Sequence, residues 1–283
     1  MLASSPITDD RQCRPWPPKF DVLGVGVSAT TYDEAIELII EAARRRQSAV
    51  CSHFAVHSVV SAAQDPSLRD GVSSFDIVAP DGQPVRWALN RLHNAELADR
   101  MYGPEMMRRL CRRAADEGVS IYLYGSTPEV LAQLSANLQN LFPRLRIAGT
   151  ESPPFRPLTG EEEIEMIERI NGSGAGIVFV GLGCPKQDYF AARYRDRLKA
   201  VQMCVGAAFD FHAGTKRTAP AWMQRRGLEW LFRLSQEPGR LWKRYLVTNS
   251  VFIGKFSSQY LRHKYRRSIA RAPHIANPTR RPR

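Results

Sequence analysis

Two aspartates that follow apolar segments are the first candidates for chemistry in this chain. Asp81 lies between Pro80 and Gly82, and a carboxylate at a strand end can act as a general base. Asp-Gly is also a common turn signal, so the residue types leave base and turn equally open. Asp210 follows the apolar run VGAAF, where we expect a strand to end. It could bind a sugar hydroxyl or cap the next turn.

Two glycine-containing turns predict a phosphate-binding crevice. The segment YGSTPEV places Thr127 and Pro128 where a helix begins, and free N–H groups at a helix start favour phosphate. The segment GLGCPKQ repeats the pattern but matches neither the dinucleotide fingerprint nor the Walker A loop. Either turn could equally be an ordinary strand-to-helix connection. The candidates for binding a diphosphate-bearing donor are Gly125, Ser126, Thr127, Gly181, Gly183, Lys186 and Gln187.

The sequence does not predict a metal site. No Asp-x-Asp pair occurs, so arginine, lysine and helix dipoles would have to neutralise a departing diphosphate. His53 and His57 lie near a strand end, without a cysteine or carboxylate at ligand spacing. The five cysteines form no CxxC pair, which favours a reducing compartment over a disulfide framework. We therefore expect neither a metal nor a cofactor.

The last quarter of the chain carries its positive charge. Residues 216–283 contain 17 Lys and Arg but two Asp and Glu, whereas the preceding residues have a balance of −3. Such asymmetry points to nucleic acid or an anionic membrane. No run approaches the length of a membrane span, and Asp9 and Asp10 stand where a signal peptide needs an apolar core. Membrane contact is therefore expected to be peripheral.

Apolar residues recur at helical spacing in this basic segment, with Lys and Arg on other faces. A basic amphipathic helix rich in aromatic residues is typical of a membrane interface. Alternatively, the helix packs on its own domain with Trp222 and Trp230 in the core, and we expect both contacts to exist. The apolar residues are Trp242, Tyr245, Leu246, Phe252, Ile253, Phe256, Tyr260 and Leu261, and the basic ones include Arg240, Lys243, Arg244, Lys255 and Arg262.

Strand and helix patterns alternate from residue 20 to residue 205, which predicts an α/β fold. The expected architecture is a Rossmann-like, mostly parallel sheet with helices on both faces and ligands bound beyond the carboxyl ends of the strands. Residues 1–19 are predicted to be a flexible leader and 20–215 the catalytic domain. Residues 216–262 are predicted to be a basic helical appendage, and 263–283 a disordered basic tail.

The ordered set of motifs from Val22 to Tyr245 resembles the bacterial WecG/TagA/CpsF glycosyltransferase family (glycosyltransferase family 26). The motifs that carry the resemblance are PDGQPVRWA, YGPEMM, YLYGSTPEV, FPRLRIAGTESPPF, GLGCPKQD, VGAAFDFHAGTKRTAP and GLEWLFRLSQEPGR. The resemblance implies an inverting transfer from a UDP-sugar to a polyprenyl-pyrophosphate-linked sugar. It places the protein in the cytoplasm, at the inner face of the cytoplasmic membrane, in cell-surface polysaccharide synthesis. Exopolysaccharide is the preferred pathway.

The resemblance also implies roles for residues. The family's proposed base falls on Asp81 and its donor-site glutamine on Gln187, and the basic appendage is expected to complete the site and hold an anionic membrane. The appendage residues expected to meet acceptor or membrane are Arg225, Arg226, Arg233, Arg240, Lys243 and Arg244.

One departure from the family concerns the strand end at His53-Phe54-Ala55, where the family usually carries Thr-x-Asn. We expect His53 to supply an alternative hydrogen bond to the donor. The departure leaves a catalytically silent scaffold of a polysaccharide assembly complex as one alternative. A nucleic-acid-binding protein is the other, although the glycine-containing turns have no role there, so no nucleic-acid partner is expected. A homo-oligomer is left open.

Overall fold

A computed structural model describes residues 14–270 of the 283-residue chain. The strands are β1 (Lys19–Val22), β2 (Val25–Ser28), β3 (Ala49–Phe54), β4 (Ile77–Pro80), β5 (Ile121–Tyr124), β6 (Ile147–Glu151), β7 (Ile177–Val180) and β8 (Val201–Cys204). The helices are α1 (Tyr32–Arg44), α2 (Val56–Gln64), α3 (Pro66–Ser73), α4 (Gln83–His93), α5 (Gly103–Glu117), α6 (Pro128–Leu141), α7 (Gly160–Gly172), α8 (Lys186–Arg193), α9 (Ala208–Ala213), α10 (Ala221–Arg225), α11 (Glu229–Gln236) and α12 (Pro238–Ala270).

Six of the strands form one all-parallel sheet in the order β4-β3-β8-β7-β5-β6. Helices cover both faces, and successive strand residues enter opposite cores because strand side chains alternate. Ile177 and Phe179 join the core beneath α1, α5, α6 and α9, whereas Val178 and Val180 join the core on the other face. The predicted Rossmann-like α/β fold is confirmed.

Local signals set several helix starts. Thr127 caps α6 by accepting a hydrogen bond from the Val130 N–H, and Pro128 occupies the first turn, as expected. Thr159 and Glu162 form a reciprocal capping box at the start of α7. The Thr127 cap confirms the helix start predicted from the sequence, whereas the short helix α3 was not predicted.

Two predicted strands are corrected. The strand pattern that begins at residue 20 is not part of the predicted sheet, because β1 and β2 form an antiparallel hairpin outside it. The last strand ends at Cys204 rather than near Asp210, which lies in the first turn of α9. The run VGAAF is apolar because its Ala208 and Phe209 are buried as helix residues, and a short apolar run does not distinguish strand from helix.

The predicted ends of the chain also need correction. Trp16 packs against the core, so the expected flexible leader does not extend through residues 14–19. The long helix α12 continues to Ala270, eight residues past the predicted boundary at 262. The remainder of the predicted leader and tail, residues 1–13 and 271–283, lies outside the described residues.

The helix α12 packs on α2 and α4 and buries Leu241 and Phe252. Near its other end, the Gln259 amide donates to Asp21 and its carbonyl accepts from the Leu23 N–H, which fastens α12 to the hairpin. The expected inward-facing side of this helix is therefore present. Trp222 and Trp230 are 52% and 41% exposed, so the alternative that placed them in the core is wrong.

Candidate functional site

A cavity of about 580 Å³ lies beyond the carboxyl ends of four neighbouring strands. Its floor is formed by the segments that follow β3, β4, β7 and β8. Its other side is formed by α11 and α12, which we call the C-terminal wall. Two smaller clefts, of about 460 and 390 Å³, lie between α12 and the hairpin and beside Arg225.

Asp81 follows β4 and lines the cavity with a side chain that is 21% exposed. Its backbone N–H donates to the Phe54 carbonyl, which fixes the turn. Burial raises the pKa of Asp81 to about 6, although the Arg100 guanidinium opposes the shift. A carboxylate with such a pKa is ionised at neutral pH yet remains a competent proton acceptor.

Arg100 and Glu229 form a buried pair beside Asp81 that no motif in the sequence indicated. The Arg100 Nη1 lies 3.6 Å from Asp81 Oδ1, and its Nη2 donates to Glu229 Oε2. The guanidinium also lies 4.5 Å from the centre of the Tyr102 ring. Glu229 begins α11, so this buried pair joins the floor to the C-terminal wall. No local pattern pairs residues so far apart in the chain.

His53, the last but one residue of β3, lines the cavity and has one ring nitrogen without a partner among the described residues. Its Nδ1 lies 3.2 Å from the Cys204 carbonyl, an acceptor, so Nδ1 carries the proton. Burial lowers the pKa of His53 to about 4, so the ring is neutral at pH 7. Nε2 is then a hydrogen-bond acceptor, and it is buried without a partner within the described chain. His53 and Ala55 both line the cavity.

The GLGCPKQ turn lines the cavity as predicted. Its Gly183 has φ +77° and donates its N–H to Gln187 Oε1, so part of the Gln187 amide stabilises the turn. Lys186 is exposed at the rim. Beneath the turn, Ser52 donates to the buried Asp188 Oδ1 at 2.7 Å, and burial raises the pKa of Asp188 to about 6. Asp188 supports the turn from below.

Gly125, Ser126 and Thr127 lie outside the lining of this cavity. They follow β5, which is separated from β8 by β7. A Cβ on Gly125 would lie 2.9 Å from the backbone carbon of Gly181, so the two turns are in close contact. The first turn therefore supports the second, and its expected donor contact stays a prediction.

Asp210 lines the cavity and is paired rather than free. Its Oδ2 lies 3.4 Å from Lys216 Nζ, which also lies 3.2 Å from Glu237 Oε1. Backbone N–H groups of Thr215 and Lys216 donate to its carbonyl. Both expectations for Asp210, sugar contact and turn formation, are compatible with this position.

The C-terminal wall supplies cations to the cavity. Arg233, Arg240 and Arg244 line it, and the Arg233 guanidinium lies 5.6 Å from the centre of the Phe211 ring. The other predicted acceptor or membrane residues do not line it. Arg225 lines the adjacent cleft of about 390 Å³, and Arg226 and Lys243 are exposed.

The outer face of α12 exposes apolar side chains. Trp242, Leu246 and Ile253 are 47%, 62% and 63% exposed and fall on one side of the helix, and Lys243 lies beside the Trp242 ring. Within residues 14–270, no helix is long and apolar enough to cross a bilayer. The same residues contain no cluster of three or more His, Cys, Asp or Glu side chains arranged to hold a metal ion.

Comparison with known protein families agrees with this geometry. A sequence model described as the glycosyl transferase WecG/TagA/CpsF family matches residues 20–266, which includes the cavity floor, the C-terminal wall and the helices between them.

Proposed function

The chain belongs to the WecG/TagA/CpsF glycosyltransferase family, and from this premise we propose that it transfers a sugar from a UDP-sugar to a polyprenyl-pyrophosphate-linked sugar. The observation that carries the proposal is the cavity itself. It combines one carboxylate of raised pKa with several cations, beyond the strand ends where such folds bind ligands.

In the proposed reaction Asp81 accepts the proton of an acceptor hydroxyl. The acceptor oxygen forms a bond to the anomeric carbon, and the bond from that carbon to the UDP oxygen breaks. UDP leaves with the electron pair, and a single in-line attack inverts the anomeric centre. Support for this role comes from the partial exposure of Asp81 and from its pKa of about 6, which suits a base near neutral pH.

The leaving diphosphate is neutralised by side chains in this proposal, without a cofactor or metal. Arg233, Arg240 and Arg244 approach from the C-terminal wall, and Lys186 and Lys216 from the floor. Positive groups fixed around a site that excludes bulk water stabilise developing negative charge. Gln187, Asp210 and His53 are proposed to contact the donor, His53 by accepting a hydrogen bond from a sugar hydroxyl at Nε2.

The acceptor is a lipid, so the protein is proposed to bind the inner face of the cytoplasmic membrane peripherally. The exposed apolar side chains of α12, with the neighbouring Lys243, suit insertion among anionic headgroups. Arg225 and Arg226 are exposed and are proposed to meet the acceptor or the headgroups. A role in exopolysaccharide synthesis is the preferred pathway.

The test is UDP release from a panel of UDP-sugars, with and without a polyprenyl-pyrophosphate-linked sugar, for the wild type and Asp81→Asn. Acceptor-dependent release from one donor that is lost in Asp81→Asn is the expected result. The matched control is Asp196→Asn, since that carboxylate is 93% exposed and lies outside the cavity lining. Absence of release from every donor, with folded protein bound to vesicles, would favour the scaffold alternative.

A further inference from the structure

Arg100 lies between two carboxylates that come from different parts of the molecule. One is Asp81 on the floor, at 3.6 Å, and the other is Glu229 in the C-terminal wall, at 2.5 Å. The contact with Glu229 is a hydrogen bond, whereas the contact with Asp81 exceeds hydrogen-bonding distance. The guanidinium is therefore hydrogen-bonded to Glu229 and forms a longer ion pair, without a hydrogen bond, with Asp81.

The surroundings fix this arrangement. The Arg100 and Glu229 side chains are each 10% exposed, so water does not replace either partner. Tyr102 covers one face of the guanidinium. Glu229 occupies the first turn of α11, where the helix dipole stabilises a negative charge.

A buried guanidinium that loses one carboxylate turns to another within reach, because an unpaired buried charge is costly. Here the nearest remaining carboxylate is Asp81. A direct pair would place charge-assisted hydrogen bonds on the oxygens that must accept a proton, and it would make the carboxylate a weaker base. The groups whose charge or ionisation acts on Asp81 are Arg100, Glu229, Arg233, Tyr32 and Tyr102.

We propose that Glu229 is a positioning residue that keeps the Arg100 guanidinium from hydrogen bonding to the Asp81 carboxylate, so that the Asp81 oxygens are available to accept a proton only while α11 is docked. The inference rests on the proposed function for the role of Asp81 as base, but the position of Arg100 can be tested without turnover. Its consequence is that the C-terminal wall contributes to catalysis through a residue that never contacts substrate.

The first arm measures the protonation of Asp81 directly in the full chain. Protein labelled with carboxyl-¹³C aspartate is titrated by NMR, and the spectrum of Asp81→Asn identifies the Asp81 signal. In Glu229→Gln the Asp81 signal is expected to titrate at lower pH than in the wild type, and the decrease is expected to be larger than the one the same substitution causes in Arg100→Met. Loss of the Glu229 charge acts in both backgrounds, whereas a new hydrogen bond from Arg100 to Asp81 can form in one of them. In Arg100→Met alone the Asp81 signal is expected to titrate at higher pH. An unchanged or raised midpoint in Glu229→Gln, or an equal decrease in both backgrounds, overturns the proposal.

The second arm is a double-mutant cycle on kcat/KM for sugar transfer. Glu229→Gln is expected to lower kcat/KM about tenfold. The acid limb of the pH profile of kcat/KM is expected to move to lower pH. Adding Glu229→Gln to Arg100→Met is expected to cause little further loss, because the displaced guanidinium is gone. Equal loss in both backgrounds overturns the proposal.

The control for an ordinary loss of stability is Glu163→Gln. Glu163 is 8% exposed and pairs with Arg193 and Arg197 outside the cavity lining. It is expected to unfold more easily without any change in the Asp81 titration. If the wild type transfers no sugar, the proposed function fails, while the NMR titration still decides whether Glu229 keeps Arg100 from hydrogen bonding to Asp81.

Discussion

The floor of the cavity and the C-terminal wall are built on different physical principles. The floor consists of buried strand ends at which burial shifts the pKa of titratable groups, to about 4 for His53 and about 6 for Asp81. The wall consists of helices that carry arginines on the cavity side and exposed apolar residues on the outer side. The comparison separates two tasks: the floor carries the group that accepts the proton, and the wall supplies arginines and an exposed apolar surface, with Glu229 acting on Asp81 through Arg100.

The largest expected effect is on the floor. Asp81→Asn should reduce kcat for sugar transfer about a thousandfold, because a general base contributes about 10²- to 10⁴-fold. The affinity for UDP, measured by calorimetry, should stay within a factor of about three, since the wall is intact. A variant that instead binds UDP far more weakly, with kcat preserved, would assign Asp81 to donor binding.

The same substitution should raise stability at neutral pH. The folded-state pKa of Asp81, about 6, exceeds the ordinary value of 3.8, so the native state binds the proton more tightly than the unfolded state. The unfolding free energy of the wild type therefore falls as pH rises from about 4 to 6. Above pH 7, Asp81→Asn should be more stable by up to about 3 kcal/mol, and the difference should vanish near pH 3. Urea unfolding at both pH values measures this, with Asp196→Asn as control.

Removing a positive charge from the C-terminal wall should weaken UDP binding, while Asp81 remains available as the base. Arg244→Gln is expected to lower the affinity for UDP about tenfold, because a hydrogen bond to a charged group contributes about 1.5–3 kcal/mol. The loss should shrink as salt is added, since screening weakens the wild type more. The control is Arg144→Gln, an exposed arginine paired with Asp116 away from the cavity. If Arg244→Gln shifted the acid limb of the pH profile of kcat/KM and left UDP affinity unchanged, Arg244 would act on the base and not on UDP binding.

The outer face of the wall should affect membrane binding alone. Ile253→Ser is expected to reduce partitioning onto anionic vesicles about tenfold, since burying such a side chain contributes about 1.5–3 kcal/mol. Turnover on a detergent-solubilised acceptor should be unchanged. Ile164→Ser is the matched control, because Ile164 is 52% exposed on α7. Equal losses for both variants would mean that α12 is not the membrane face.

Local signals in the sequence predicted the α/β fold and the turns at the strand ends, but not which distant elements pack together around the cavity. Thr127 and Thr159 cap helices by contacts a few residues away, so short patterns were sufficient. The hairpin was missed because its turn has positive φ at Leu23 as well as Gly24, and leucine is an unusual residue in that conformation.

The partners across the cavity required the tertiary structure. The sequence suggested that the turns at Gly125 and Gly181 line one crevice, but strand order decides which strand ends meet. The cavity extends from β4 across β3 and β8 to β7 and stops before β5. Arg100 and Glu229 meet across 129 positions of sequence, so no spacing rule relates them. The sequence could supply candidate groups, whereas their pairing depends on how distant elements pack.

The position of β8 has a consequence for how the chain is made. It is the last strand of the parallel sheet along the chain, yet it lies in the middle, between β3 and β7. Until Val201–Cys204 has left the ribosome, β3 with β4 and β5 with β6 and β7 are separate pieces with unpaired inner edges. Such edges pair readily with other chains. The nascent protein therefore depends on its final third twice, first to join its sheet and then to close its cavity.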